Sequence, residues 1–254
     1  MEIKKNVSLA ELTTFKIGGK ARYFCAVQSV PDLKKAVSFA KDKKLDFLVL
    51  GGGSNVLMRD GVLEGVVVKM EIKGMEYTGA ISQSLRKKEN VASGGEKQSP
   101  ELKKTQSVSE TRVFVRVGAG EWWDGFARNV AKRGLWGVEN LSGIPGTVGA
   151  APIQNIGAYG QEVDDTVVSV ETLNTETLEE RRFSNKQCRF GYRDSFFKTK
   201  EGKKYIITAV TFALRKDGKP NVSYQDIKKK IEDLGITIQG LSPMKMRQMV
   251  VEIR

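Results

Sequence analysis

Two glycine-rich runs and one arginine set among aromatic residues are the parts of this sequence equipped to do chemistry. The first run, Leu50-Gly51-Gly52-Gly53-Ser54-Asn55-Val56-Leu57, follows the short apolar stretch Phe47-Leu48-Val49-Leu50. Consecutive glycines let main chain approach a ligand and present its N–H groups as a concave nest that suits phosphate. The run is not a Walker A loop, since no Gly-Lys-Ser/Thr follows, nor a Rossmann fingerprint, because Val56 stands where the third glycine belongs. A tight turn is the plainer alternative. The second run extends from Leu141 to Pro152, with Gly143, Gly146 and Gly149 recurring every third residue around Pro145 and no charged side chain. Ser142, Ile144, Thr147 and Ala150 fill the intervals, and Gln154, Asn155, Gly157, Tyr159 and Gly160 carry the run onward. Such a small-residue loop lets a large flat ligand lie against main chain. Two loops of this kind on separate α/β units suit an extended dinucleotide lying between them. Third, Phe190-Gly191-Tyr192-Arg193-Asp194-Ser195-Phe196-Phe197-Lys198 offers a guanidinium that could clamp a carboxylate or phosphate bidentately. A surface Arg193–Asp194 pair flanked by core phenylalanines is the alternative, and Tyr224 would equally pass as an ordinary buried tyrosine.

The chemistry left open is narrowed by what is missing. The 254 residues include no histidine, which removes Ser-His-Asp and Cys-His catalysis and His-ligated zinc. Cys25 and Cys188 stand far apart with no CxxC, so a disulfide framework or four-cysteine metal site is excluded and a reduced, cytoplasmic protein without metal is expected. No secretory signal opens the sequence, and no run reaches the roughly 18 apolar residues of a membrane helix. Lys plus Arg number 42 against 30 Asp plus Glu, a formal charge of +12 that suits an anionic partner: nucleic acid, an acidic membrane or a phosphate-bearing small ligand.

The positioning elements follow from periodicity. Residues 1–72 form one α/β unit: a strand over Ala21–Val27, a helix opening near Pro31 with Leu33, Ala36, Val37 and Ala40 as its stripe, then strands at Phe47–Leu50 and Val62–Met70. Residues 80–111 are rich in Ser, Lys, Glu and Gln and carry few large apolar groups; they are expected to be a mobile polar insertion rather than a nucleic-acid arm, since aromatics for stacking are absent. A second unit, 73–219, resumes with the alternating Val113, Val115 and Val117. It continues with a helix from Trp122 to Arg133 that aligns Trp122, Phe126 and Val130 and is capped by Gly134, and further strands at Val167–Leu173 and Tyr205–Leu214. A third unit begins at residue 220. Ser242-Pro243 opens a helix with a stripe of Met246, Met249, Val250 and Ile253, still running at Arg254, so the sequence is expected to be a fragment.

In order and spacing these segments resemble the UDP-N-acetylenolpyruvoylglucosamine reductase (MurB) family, first type. The resemblance rests on Thr14-Phe15-Lys16-Ile17-Gly18-Gly19, the Gly-Gly-Gly-Ser-Asn loop, Gly118-Ala119-Gly120-Glu121-Trp122, the Gly143–Gly160 stretch and Gly191-Tyr192-Arg193-Asp194-Ser195. It implies an α+β, two-domain FAD-binding fold of the vanillyl-alcohol-oxidase/PCMH type, with the start of a third α/β substrate domain. It further implies non-covalent FAD held by Gly51, Gly52, Gly53, Ser54, Asn55, Ser142, Gly143, Ile144, Pro145, Gly146, Thr147, Gly149, Ala150, Gln154 and Gly157. NADPH would be the co-substrate and a UDP-sugar the substrate, UDP-N-acetylglucosamine enolpyruvate, reduced to UDP-N-acetylmuramate for peptidoglycan synthesis. Arg193 would be catalytic, stabilising an enolate, with Tyr159 and Tyr224 as substrate contacts. A monomer without nucleic-acid or membrane partners is expected. The family's serine proton donor belongs to a motif absent from these residues, so no donor is assigned. The rival readings are a small-alcohol oxidase of the same superfamily, disfavoured by size and the lack of histidine, and a basic nucleic-acid-binding module.

Overall fold

Val66, Val67 and Val68 are all fully buried, which demands a strand covered on both faces. In the computed structural model, which describes residues 1–78 and 112–254, that strand lies inside a four-stranded sheet. Its strands are β1 (Lys4–Ser8), β2 (Lys20–Val27), β3 (Asp46–Leu50) and β4 (Val62–Met70), in the order β1-β2-β4-β3. β4 runs parallel to both β2 and β3, and only β1 is antiparallel. The crossover from β2 to β3 is α1 (Val30–Asp42). Ser29 caps it, accepting from the Asp32 amide at 3.2 Å, and Pro31 occupies the first turn. The expected stripe of Leu33, Ala36, Val37 and Ala40 is the buried one. Side chains alternate along β4: Val66 and Val68 join the main core, whereas Val67 packs with Leu9, Ala21 and Leu50 on the opposite face.

The second unit begins with β5 (Met75–Thr78), β6 (Arg112–Gly118) and α2 (Trp123–Lys132). The short pair β7 (Gly157–Ala158) and β8 (Gln161–Glu162) follows, then β9 (Val167–Asn174), β10 (Glu180–Ser184), α3 (Asn185–Cys188) and β11 (Tyr205–Arg215). The five-stranded sheet has the order β10-β9-β11-β6-β5 and is antiparallel throughout. The expected α2 stripe needs correction. Trp122 is the extended N-cap residue and is 53% exposed, while Trp123, Phe126, Ala127, Val130 and Ala131 are buried. The helix starts one residue later than periodicity suggested, so the i, i+3, i+4, i+7 stripe starts at the second tryptophan. Its indole N–H donates to the Leu141 carbonyl at 2.8 Å, which satisfies the buried polar edge. Gly134 follows the cap residue Arg133 with φ +71°, as a helix-terminating glycine should.

One continuous core joins the sheets: Val66, Val68 and Met70 belong to the same cluster as Val115, Val117, Trp123 and Phe212. After β11 come α4 (Gln225–Asp233) and α5 (Pro243–Ile253), with a short 3-10 turn at Ile238–Gly240. Within 220–254 the structure has helices and no strand, so the expected opening of an α/β unit takes the form of a helical layer. The layer has its own cluster, in which Ile227, Ile231, Met246, Met249 and Val250 pack with Trp136. The whole is an α+β fold. The polar stretch 80–111 lies outside the described residues. Among the described residues no helix is long and apolar enough to cross a membrane.

Candidate functional site

The first glycine loop leaves the end of β3. Lys69 Nζ donates to the Gly51 carbonyl at 2.6 Å, and the Gly53 carbonyl accepts from the Thr14 amide at 3.0 Å. Gly53 has φ +70°, and a Cβ there would collide with the Leu12 carbonyl oxygen. A Cβ on Gly52 would lie 2.8 Å from the Gly146 Cα. These glycines are thus required because main chain meets main chain, a reason additional to the close ligand approach that the sequence suggested. The amides of Gly52, Gly53, Ser54 and Asn55 donate to no described residue.

The second loop is tied to the entry of α2. Trp123 N donates to the Gly146 carbonyl at 3.0 Å, and Val148 N to the Glu121 carbonyl at 2.9 Å. Gly146 and Thr147 are buried, yet their amides, like that of Ile144, donate to no described residue. Asn55 Nδ2 donates to Gln154 Oε1 at 3.1 Å and links the two loops directly.

Between the loops lies a cavity of about 340 Å³, bounded by Gly51–Val56, Pro145, Gly146, Thr147, Ala150, Gln154 and Lys198 among others. It adjoins a larger cavity of about 670 Å³ between α1, β3 and the start of β11, with Phe47, Met70, Gly149, Tyr205 and Ile207 in its walls. Gly51, Thr147, Ala150, Ile153 and Lys198 line both. The combined cleft is lined at one end by residues whose amides have no acceptor among the described residues and at the other by apolar side chains. N–H groups without an acceptor among the described residues suit an anionic or polar partner, and the adjoining apolar space accepts a flat ring system. A diphosphate-linked dinucleotide such as FAD fits both features.

Not every expected cofactor residue lines this cleft. Ser142 is fully buried, its hydroxyl enclosed without a partner among the described residues. Gly143 turns toward Arg254, Ile144 lines neither cavity, and Gly157 lies beside Arg193. Conversely, Lys198, Tyr205 and Phe47 line the cleft without having been singled out as site residues. Lys198 closes the Phe-Phe-Lys segment after Arg193, whose carbonyl it reaches at 2.7 Å; the other two are ordinary strand residues whose facing only sheet packing decides.

Arg193, at φ +52°, donates through Nη2 to the Gly157 carbonyl at 2.6 Å and through Nη1 to the Asn155 carbonyl at 3.4 Å. It forms no ion pair among the described residues, so the expected Arg–Asp alternative is not what the fold builds. Tyr192 beside it is 84% exposed. Tyr159 and Tyr224 meet edge to face with ring centroids 5.3 Å apart, and Tyr224 is 47% exposed rather than buried. Asn140 holds their two segments together, donating through Nδ2 to the Tyr159 and Asn221 carbonyls, each at 2.9 Å. Glu139 accepts from Gly137 N at 2.6 Å and from Gln161 Nε2 at 2.8 Å, and burial pushes its carboxyl pKa above the usual range. Burial also lifts the thiol of Cys25 to about 11 and that of Cys188 to about 12, which makes both poor nucleophiles.

Comparison with known proteins agrees with this geometry. The model of the FAD binding domain family matches residues 21–97 and 98–177. A UDP-N-acetylenolpyruvoylglucosamine reductase of Bdellovibrio bacteriovorus is 37% identical over 91% of this chain and 60% of its own length. The enzyme of that name from Flavobacterium johnsoniae is 39% identical over 89% of this chain and 58% of its own length. The chain therefore spans about 60% of the length of the curated relatives it matches. Among solved structures, UDP-N-acetylenolpyruvylglucosamine reductase from Thermus caldophilus superposes with a TM-score of 0.62 at 23% identity, over all of this chain and 70% of that one. A VAO-type flavoprotein from Myceliophthora thermophila superposes with a TM-score of 0.50 at 14% identity, over 78% of this chain and 32% of that one. These two likenesses show the fold.

Proposed function

The chain belongs to the FAD binding domain family, and from that premise we propose that it is the cofactor-binding part of a UDP-N-acetylenolpyruvoylglucosamine reductase. The reaction would use NADPH to reduce the enolpyruvyl group of UDP-N-acetylglucosamine enolpyruvate, in the cytoplasm, for peptidoglycan and hence for cell shape and division. The observation that carries this reading is the facing pair of glycine loops with unpartnered amides over one continuous cleft. Residues 1–72 and 73–219 are taken as the two cofactor-binding units, and the region from 220 as the substrate-facing one, in a monomer without nucleic-acid or membrane partners.

When bound, FAD supplies a two-electron carrier between NADPH and the enolpyruvyl carbon. The amides of Gly52–Asn55, Gly146 and Thr147 are suited to the pyrophosphate, and the apolar walls of the larger cavity to a flat ring. Arg193 is held by the Asn155 and Gly157 carbonyls, which orient the guanidinium without neutralising it. A preorganised, unpaired cation of that kind stabilises negative charge developing on a substrate carboxylate as an enolate. The edge-to-face Tyr159 and Tyr224 offer phenol donors and ring faces to the sugar nucleotide. The proton donor is assigned to no residue here.

Purified protein should show a flavin visible spectrum, bleach on NADPH, and release FAD on denaturation. A folded, colourless protein that takes up no FAD would overturn the reading. In the whole enzyme, Arg193→Ala should lower kcat by about 10²-fold or more with a much smaller change in KM, since its role is in the transition state. An equal loss in both would remove Arg193 from that role.

A further inference from the structure

Asp124, in the first turn of α2, divides its carboxylate between two partners. Oδ1 accepts from the Gly143 amide at 2.7 Å, and Oδ2 accepts from Arg247 Nη2 at 2.5 Å. Arg247 projects from α5, and its side chain is only 11% exposed. Its Nε is buried with no partner among the described residues. Enclosing a guanidinium is unfavourable unless a carboxylate compensates it, so Asp124 is the group that makes this placement tolerable. Gly143 has φ +74°, and a Cβ there would lie 3.0 Å from Arg254 Cδ at the end of α5. The second glycine loop is therefore fastened at Gly143 to α2, and through Arg247 to α5, while Gly146 and Thr147, three and four residues on, line the cavity.

We propose that Asp124 and Arg247 are positioning residues that set the second glycine loop for its cofactor and couple the Tyr224-bearing helical layer to the cleft. The proposal rests on the FAD reading above. Neither residue lines either cavity of the cleft, so each acts through Gly143: the carboxylate holds the amide, and the arginine holds the carboxylate. The loop then enters Gly146 from a fixed direction, and the geometry of its amides follows. An exposed aspartate alone would be a loose anchor. Paired with an enclosed arginine on a second helix, it has one position.

The test uses Asp124→Ala, Arg247→Met and Arg247→Lys in the 254-residue chain, with two readouts. Hydrogen exchange on cofactor-free protein should show faster exchange at Gly143 in Asp124→Ala and Arg247→Met, and near-parental exchange in Arg247→Lys. FAD titration should show affinity about tenfold weaker in the first two variants, with altered visible circular dichroism of the bound flavin. Combining Asp124→Ala with Arg247→Met should add little, because both break the same chain of contacts. Arg247→Met leaves no unpaired buried charge, so it carries the test should Asp124→Ala fail to fold. Unchanged exchange and unchanged FAD affinity in folded Arg247→Met would overturn the proposal. Parental protein that binds no FAD would overturn the FAD reading instead, and exchange at Gly143 would still decide the clamp.

Discussion

In the first glycine loop a Cβ on Gly53 would run into the Leu12 carbonyl, whereas in the second a Cβ on Gly146 would meet only the Ser54 hydroxyl, at 3.3 Å. Both residues have positive φ, +70° and +116°, yet their surroundings differ. The first loop is packed main chain on main chain and held by Lys69 at its entrance. The second is held from its flanks and rear: by the Glu121 and Trp123 backbone, by Asn55, and by the Asp124–Arg247 pair. What the difference teaches is that glycines in similar motifs can be required for different reasons. Gly53 is demanded by the main chain packed against it, whereas at Gly146 the positive φ is the main constraint.

The largest expected effect breaks the two glycines apart. Gly53→Ala should cost about 3 kcal/mol or more, through backbone strain plus collision with unyielding main chain. Gly146→Ala should cost about 2 kcal/mol, because the Ser54 hydroxyl can swing aside, and should leave a folded protein that has lost most of its FAD affinity. Urea unfolding of cofactor-free protein with FAD titration checks both; equal destabilisation by the two would erase the distinction.

A pH dependence is expected from the segments that flank the second loop, since the buried Glu139 carboxyl joins Gly137 to Gln161. Burial raises the Glu139 pKa above its ordinary 4.5. The folded state therefore keeps that proton over a range where the unfolded chain has released it. Its contribution to stability is present below about pH 4.5 and declines as pH rises through the folded value. Stability measured against pH should show this loss in the parent, and Glu139→Gln should remove it. An identical pH profile in both would show that Glu139 is not the group responsible.

The smallest effect concerns the first loop's entrance. The Lys69 pKa is lowered mainly by burial, so its ammonium is poorly solvated, and its link to Gly51 is a single hydrogen bond. Lys69→Met should weaken FAD binding by about threefold while changing stability little, because an apolar side chain of similar volume fills the site. A loss as large as that of Gly146→Ala would show the first loop to be as dependent on side-chain fastening as the second.

Much of the architecture was legible because it is encoded locally. The α1 stripe, its opening near Pro31, the Ser242-Pro243 opening of α5, the Gly134 terminator and the doubly buried Val66–Val68 all follow from period, capping and burial within a few residues. Candidate site residues were legible as glycine-rich segments for a similar reason, since positive φ and close approach leave a mark on residue type. The start of α2 was missed by one residue because Trp122 and Trp123 are equally apolar, and only the bridge to Thr147 fixes which of them caps.

The remainder was decided by the tertiary structure. Sequence marked the strands β2, β3, β4, β6, β9 and β11, the helices α1, α2 and α5 and the glycine turns, because hydrophobic period and backbone freedom act over one or two turns of chain; β1, β5, β10 and α4, with weaker patterns, were not read from it. That Gly52 meets Gly146, that Tyr205 and Phe47 wall one cavity, and that Arg247 reaches Asp124 depend on how two sheets and a helical layer pack. Packing is set by the summed burial of a shared core, and no local pattern records which distant residues that core will bring face to face.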